Sequence, residues 1–126
     1  MKENIMTFIK DMGIDDPDDI RSLYTDYMTQ CDEILKGIWS KIDQKGSTSW
    51  IEIKKSIHNL KGVSANLYVA QVQKQAEILD DCLKNLIETG GSSDAMLLLW
   101  EQLCDTYEVA KAEIEQFFIL RPSPDI

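Results

Sequence analysis

Trp50-Ile51-Glu52-Ile53-Lys54-Lys55-Ser56-Ile57-His58-Asn59-Leu60-Lys61-Gly62-Val63-Ser64-Ala65-Asn66-Leu67 reads as one amphipathic helix. At about 100° of rotation per residue, Trp50, Ile53, Ile57, Leu60, Ser64 and Leu67 share a broad face. His58, the only histidine in the chain, falls roughly opposite the centre of that face. Lys54, Lys61, Gly62 and Ala65 surround it, one turn before and one or two turns after. A histidine used for packing sits among aliphatics. This one is expected in solvent, among cations and residues with almost no side chain.

Working outward, similar stripes recur on both sides. Asn4 to Met12 predicts a short helix with Ile5, Met6, Phe8 and Ile9 on its apolar side, ended by Gly13. Asp15-Asp16-Pro17-Asp18-Asp19 is a helix start: Asp16 can cap, Pro17 suits the first helical position, and the acids favour the positive end of the dipole. From there Ile20, Leu23, Tyr24, Tyr27, Met28, Cys31, Ile34, Leu35, Ile38, Trp39 and Ile42 step by three and four, predicting a helix over 17–45 that ends near Gly46. Ser47-Thr48-Ser49 opens the histidine helix, 49–66, with Ser49 and Glu52 at capping-box spacing. The apolar phase then breaks, which places a turn near Asn66 to Val69, with Asn66 available for a left-handed conformation. Val72, Ala76, Leu79, Leu83 and Leu86 mark a helix over 70–89 that Gly90-Gly91-Ser92-Ser93 ends. Met96, Leu99, Trp100, Leu103, Tyr107, Ala110, Ile114 and Phe117 mark the last, 94–120, stopped by Arg121-Pro122-Ser123-Pro124. The fold class expected is all-α: an antiparallel up-down four-helix bundle with a short extra N-terminal helix, residues 1–126 forming a single domain.

Composition narrows the function. With 126 residues, 44% hydrophobic, the chain can bury a real core. Acidic residues number 22 against 13 basic, a formal net charge of −9. That balance argues against a nucleic-acid partner, which needs a basic face, and against docking on anionic membranes. Against this acidic background Lys54, Lys55 and Lys61 cluster around His58, a local site for phosphate or an acidic partner. Cys31, Cys82 and Cys104 lack metal-ligand spacing and read as small core residues in a reducing compartment, so a cytoplasmic location is expected. No run of about 18 apolar residues predicts a membrane span. There is no Gly-rich phosphate loop, no Glu-x-x-His motif and no zinc spacing, so neither cofactor nor metal is expected in this chain.

The chemistry then concentrates at His58. A neutral imidazole, whose ordinary pKa is about 6.5, is a competent nucleophile near pH 7. Lys61 lies one turn on, a mobile point charge within reach of phosphate oxygens. Gly62 removes the side chain that would crowd one edge of the ring, and Ala65 does the same a turn later. A glycine inside a helix costs about 1 kcal/mol relative to alanine, and close approach of a partner is one reason to accept that. The plainer alternative is a solvated histidine beside solvated lysines.

His58-Asn59-Leu60-Lys61-Gly62, followed by Ser64, Ala65, Asn66 and Leu67, resembles the signature of histidine-containing phosphotransfer (HPt) domains. The resemblance implies a four-helix bundle with a short extra helix, His58 as the phosphorylated residue, Lys61 as the phosphate-side cation and Gly62 as the clearance residue. It implies response-regulator receiver domains and a hybrid sensor histidine kinase as partners, with Mg²⁺ on the receiver. No kinase or ATP-binding activity of the chain's own is implied, and a monomer is the default. Family members usually carry a second glycine ten residues after the histidine; here that position is Tyr68. By position, Asp80 is the candidate to orient the imidazole, with Gln73, Glu77 and Lys84 on nearby turns. Ile51, Val63 and Tyr68 are the candidates for apolar contact with a docked domain. Two alternatives stay open: a non-catalytic adaptor bundle that kept the fold, and the phosphorylatable domain of a larger sensor kinase.

Overall fold

A computed structural model describes residues 1–42 and 47–120. Five helices follow one another: α1 (Lys2–Met12), α2 (Pro17–Ile42), α3 (Ser47–Asn66), α4 (Ala70–Thr89) and α5 (Asp94–Leu120). Among the described residues there is no strand. The chain is an all-α bundle, and cross-helix contacts fix its direction. Arg21 near the start of α2 donates to the Phe118 carbonyl near the end of α5. The Tyr24 hydroxyl donates to the Leu67 carbonyl just past α3, and Lys54 in the first half of α3 pairs with Asp80 in the second half of α4. Each contact joins early residues to late ones, as antiparallel neighbours require.

One core cluster draws on all five helices. The α4 stripe, Val72, Ala76, Leu79, Leu83 and Leu86, is buried as its spacing predicts. In α3, Ile53, Ile57, Leu60 and Ser64 are buried. The buried Ser64 hydroxyl is satisfied by Tyr27 Oη at 2.8 Å, a polar stitch between α2 and α3. Helix α1 lies across the end of the bundle where α2 begins and α5 finishes: Phe8 packs edge-on against Tyr24 and Tyr68. The N-terminal ammonium is 2.7 Å from Glu113 Oε2.

The helix ends bear out several expectations and correct others. Gly13 and Gly90 terminate α1 and α4 with φ of 64° and 66°. Asp16 Oδ1 accepts the Asp18 backbone N–H at the start of α2. α3 starts at Ser47, two residues before the expected Ser49, and Ser49 lies buried inside its first turn. The expected end of α2 near Gly46 falls outside the described residues. Asn66 does not take the left-handed turn position, because α3 runs through it and Tyr68 adopts φ 61° instead. Met6, Leu23 and Trp39, placed on apolar stripes by spacing, are exposed, Trp39 by 59%. Trp39 borders a surface cavity shared with Trp100 and Cys104 of α5, and Leu23 one shared with Val63 and Leu67, so the neighbouring residues reach both side chains without covering them. Cys31 is buried, Cys82 and Cys104 are half-buried, and all three are free thiols. Among the described residues no helix is long and apolar enough to cross a membrane.

Candidate functional site

His58 is held near the midpoint of α3 by the residues behind it. Ile57 and Leu60, its near neighbours in sequence, are fully buried and anchor that stretch of helix to the core. The helical period then forces position 58 outward, and His58 is exposed. No hydrogen bond joins the imidazole to another described residue.

His58 lines an open depression with Ile51, Lys54 and Lys55. Ile51 is two turns before His58 and 44% exposed, so the expected apolar contact is available beside the ring. Val63 and Tyr68 are half-buried. Lys55 is exposed and Lys61 half-buried, and among the described residues neither has an ion-pair partner. Their charge remains available to an anion at the ring. Ala65 is half-buried two turns after the histidine and leaves that edge low.

Gly62 is exposed, and a Cβ built on it meets no atom within 4 Å. Packing inside this chain therefore does not demand a glycine there. The cost of about 1 kcal/mol has no intramolecular compensation. Gly37 in α2 also has room for a Cβ, so an unforced helical glycine is not unique to the histidine helix.

The supporting residues are arranged differently from expectation. Asp80 does not meet His58; it faces Lys54, whose ammonium is 3.2 Å from Asp80 Oδ1. That oxygen is buried and the approach lacks hydrogen-bond geometry, so it has an ion-pair partner but no hydrogen-bond donor. Lys84, one turn further along α4, is exposed and unpaired among the described residues. Sequence position brought Asp80 to the right neighbourhood. The missing signal was competition: Lys54 sits one turn before His58 on the same helix, and a cation outbids a neutral ring for a carboxylate.

The turn after α3 accounts for Tyr68. The Val69 N–H donates to the Ser64 carbonyl at 2.9 Å and the Tyr68 N–H to the Ala65 carbonyl at 3.2 Å, which is the Schellman pattern. Tyr68 occupies the left-handed position where glycine is commonest. Its side chain offsets the strain: the hydroxyl donates to Asp11 Oδ2 at 2.7 Å, and the ring packs edge-on against Phe8 with centroids 5.4 Å apart. A residue that looked like a departure on the docking side is thus a tie between this turn and α1.

No family model, no curated protein and no solved structure matches this chain.

Proposed function

We propose that this bundle is a phosphorelay intermediate of the HPt type: His58 accepts a phosphoryl group from a receiver-domain phosphoaspartate and passes it to another receiver. The observation that carries the proposal is a solvent-facing imidazole at the rigid middle of a core-anchored helix, beside unpaired Lys61 and an unforced gap at Gly62. In the transfer, His58 Nε2 attacks phosphorus in line. The N–P bond forms as the P–O bond to the aspartyl carboxylate breaks, and the carboxylate leaves with that electron pair. Phosphoryl transfer depends chiefly on positioning and on charge stabilisation. This chain supplies the nucleophile, the Lys61 charge and a low landing surface, while the receiver supplies its own Mg²⁺ and aspartate. The protein acts as a cytoplasmic monomer between a hybrid sensor histidine kinase and receiver domains.

The deciding experiment mixes the protein with a ³²P-labelled receiver and compares wild type with His58→Gln. Wild type should take acid-labile label and the variant none; label on His58→Gln removes His58 from the account. Lys61→Ala should stay folded and transfer about tenfold more slowly, the equivalent of about 1.4 kcal/mol of lost charge stabilisation. An unchanged rate would exclude Lys61.

A further inference from the structure

Lys54 lines the same depression as the imidazole and is paired, from the α4 side, with Asp80. It is an unusual pair. Asp80 is only 13% exposed and its Oδ1 accepts no hydrogen bond, so the carboxylate is poorly solvated and incompletely satisfied. Lys54 is 33% exposed: one side of its ammonium is committed to Asp80 and the rest is open. An ammonium has three donors and can serve two anions. Lys54 and His58 are one turn apart, with Cβ atoms on the order of 5–6 Å from each other, well within reach of a lysine stem. Lys54 and Lys61 are seven residues apart, hence on one flank of α3, the flank that Asp80 identifies as facing α4.

We propose that Lys54 is a second ligand for the phosphoryl oxygens at His58, held in reserve by Asp80, which positions its ammonium and keeps part of its charge engaged until the phosphoryl group arrives. The proposal rests on His58 being the phosphoryl acceptor. In the resting protein Asp80 holds the cation. When an incoming phosphoryl group brings about two negative charges to the ring, Lys54 turns its free donors to those oxygens, and Asp80 becomes the weaker competitor. Asp80 is then a positioning residue with an opposing sign: it fixes Lys54 in place and also restrains it.

The test uses phosphoramidate on the full chain, so no partner protein enters. Neutral His58 attacks phosphorus through Nε2, the P–N bond to the ammonium group breaks, and ammonia leaves. The product is N-phosphorylated imidazolium, which gives up its ring proton to buffer. The loading rate is followed by ³¹P NMR. Lys54→Met should load about threefold more slowly and Asp80→Asn about threefold faster, within the range of one partly exposed charge contact. The double variant decides the mechanism. If Lys54 touches the phosphoryl group, Asp80→Asn gives no gain in the Lys54→Met background, and the double variant loads like Lys54→Met. Additive effects that return the double variant to the wild-type rate would reduce the pair to a general field and overturn the proposal. So would single variants that change the rate in the same direction, because a purely structural pair is broken equally from either side. If Lys54→Met fails to fold by circular dichroism, Lys54→Gln takes its place in the same cycle. Failure of the proposed relay is read separately: wild type that loads from phosphoramidate yet takes nothing from any phosphorylated receiver would refute the relay and leave the Lys54 result standing.

Discussion

Gly62 poses the sharpest question a single residue asks of this chain. A helical glycine with open space at its Cβ is a stability loss that folding does not need. Gly62→Ala should therefore raise stability by up to about 1 kcal/mol, read as a higher urea midpoint at unchanged slope. Gly37→Ala should do the same, since its Cβ also meets nothing within 4 Å. The two positions part company in function. Gly62→Gln should fold at least as well as wild type and yet accept phosphoryl groups from a receiver about tenfold more slowly, the effect of about 1.4 kcal/mol of steric conflict at the docked surface. Gly37→Ala should transfer at the wild-type rate. If Gly62→Gln also transfers normally, the gap beside the imidazole is not there for a partner. His58, Lys61 and Gly62 were legible as a group in the sequence because helical periodicity alone fixes which way they face. The Lys54–Asp80 pair was not, because the choice between two acceptable partners for a carboxylate is made by cross-helix distance, which periodicity does not contain.

At the scale of elements, the helices were readable where a stripe is long and its ends carry glycine. α4 and α5 begin and end where the pattern says, and Gly13 and Gly90 stop their helices. The start of α3 was not readable in this way. Ser47, Thr48 and Ser49 are all cap-forming residue types, and the helix begins at Ser47 with Ser49 buried in its first turn. The α3–α4 connection was located but given to the wrong residue, since a tyrosine in the left-handed region is affordable only when its ring has somewhere to go. Phe8 and Asp11, far away in sequence, provide that place. The consequence is testable by three substitutions. Tyr68→Phe keeps the ring contact and loses the solvent-exposed Asp11 hydrogen bond, and should be the mildest of the three. Tyr68→Ala keeps the unfavourable backbone and loses both contacts, costing about 2–3 kcal/mol. Tyr68→Gly loses the contacts but relieves the backbone, and should be about 1 kcal/mol more stable than Tyr68→Ala, the reverse of their order inside a helix. Urea unfolding of the three variants measures this. If alanine equals or exceeds glycine at position 68, the left-handed turn is not what Tyr68 stabilises against.

For the molecule as a whole, the net charge of −9 leaves the cations around His58 as a local exception, while the interior is held by neutral groups that must stay neutral. Burial pushes the Cys31 thiol up to about 12 from an ordinary 9.0, and pushes the Tyr27, Tyr24 and Tyr107 phenols above their ordinary 10.0, with Asp32 beside Tyr107 adding to that shift. The sign of the resulting pH dependence follows from proton counting. Above pH 9 the unfolded chain loses the Cys31 proton while the folded chain keeps it, so the unfolded state binds fewer protons and stability falls as pH rises. The contribution is whole below pH 9 and is lost progressively up to about 12 for Cys31, with the tyrosines joining from pH 10 upward. Each group that titrates only in the unfolded state removes about 1.4 kcal/mol per pH unit, and the partly screened Tyr24 and Tyr107 remove less. Against a total of about 5–15 kcal/mol, the bundle should be level in stability from pH 7 to 9 by these groups, decline above pH 9 and decline more steeply from pH 10. Urea midpoints taken every half unit from pH 7 to 12 would display the curve. Cys31→Ala should lower the plateau, because it leaves a cavity, and should make the decline between pH 9 and 10 shallower without abolishing it, since burial also pushes the Cys104 and Cys82 thiols above their ordinary 9.0. A slope between pH 9 and 10 that is unchanged in that variant would mean that the buried Cys31 thiol does not contribute to the alkaline limit.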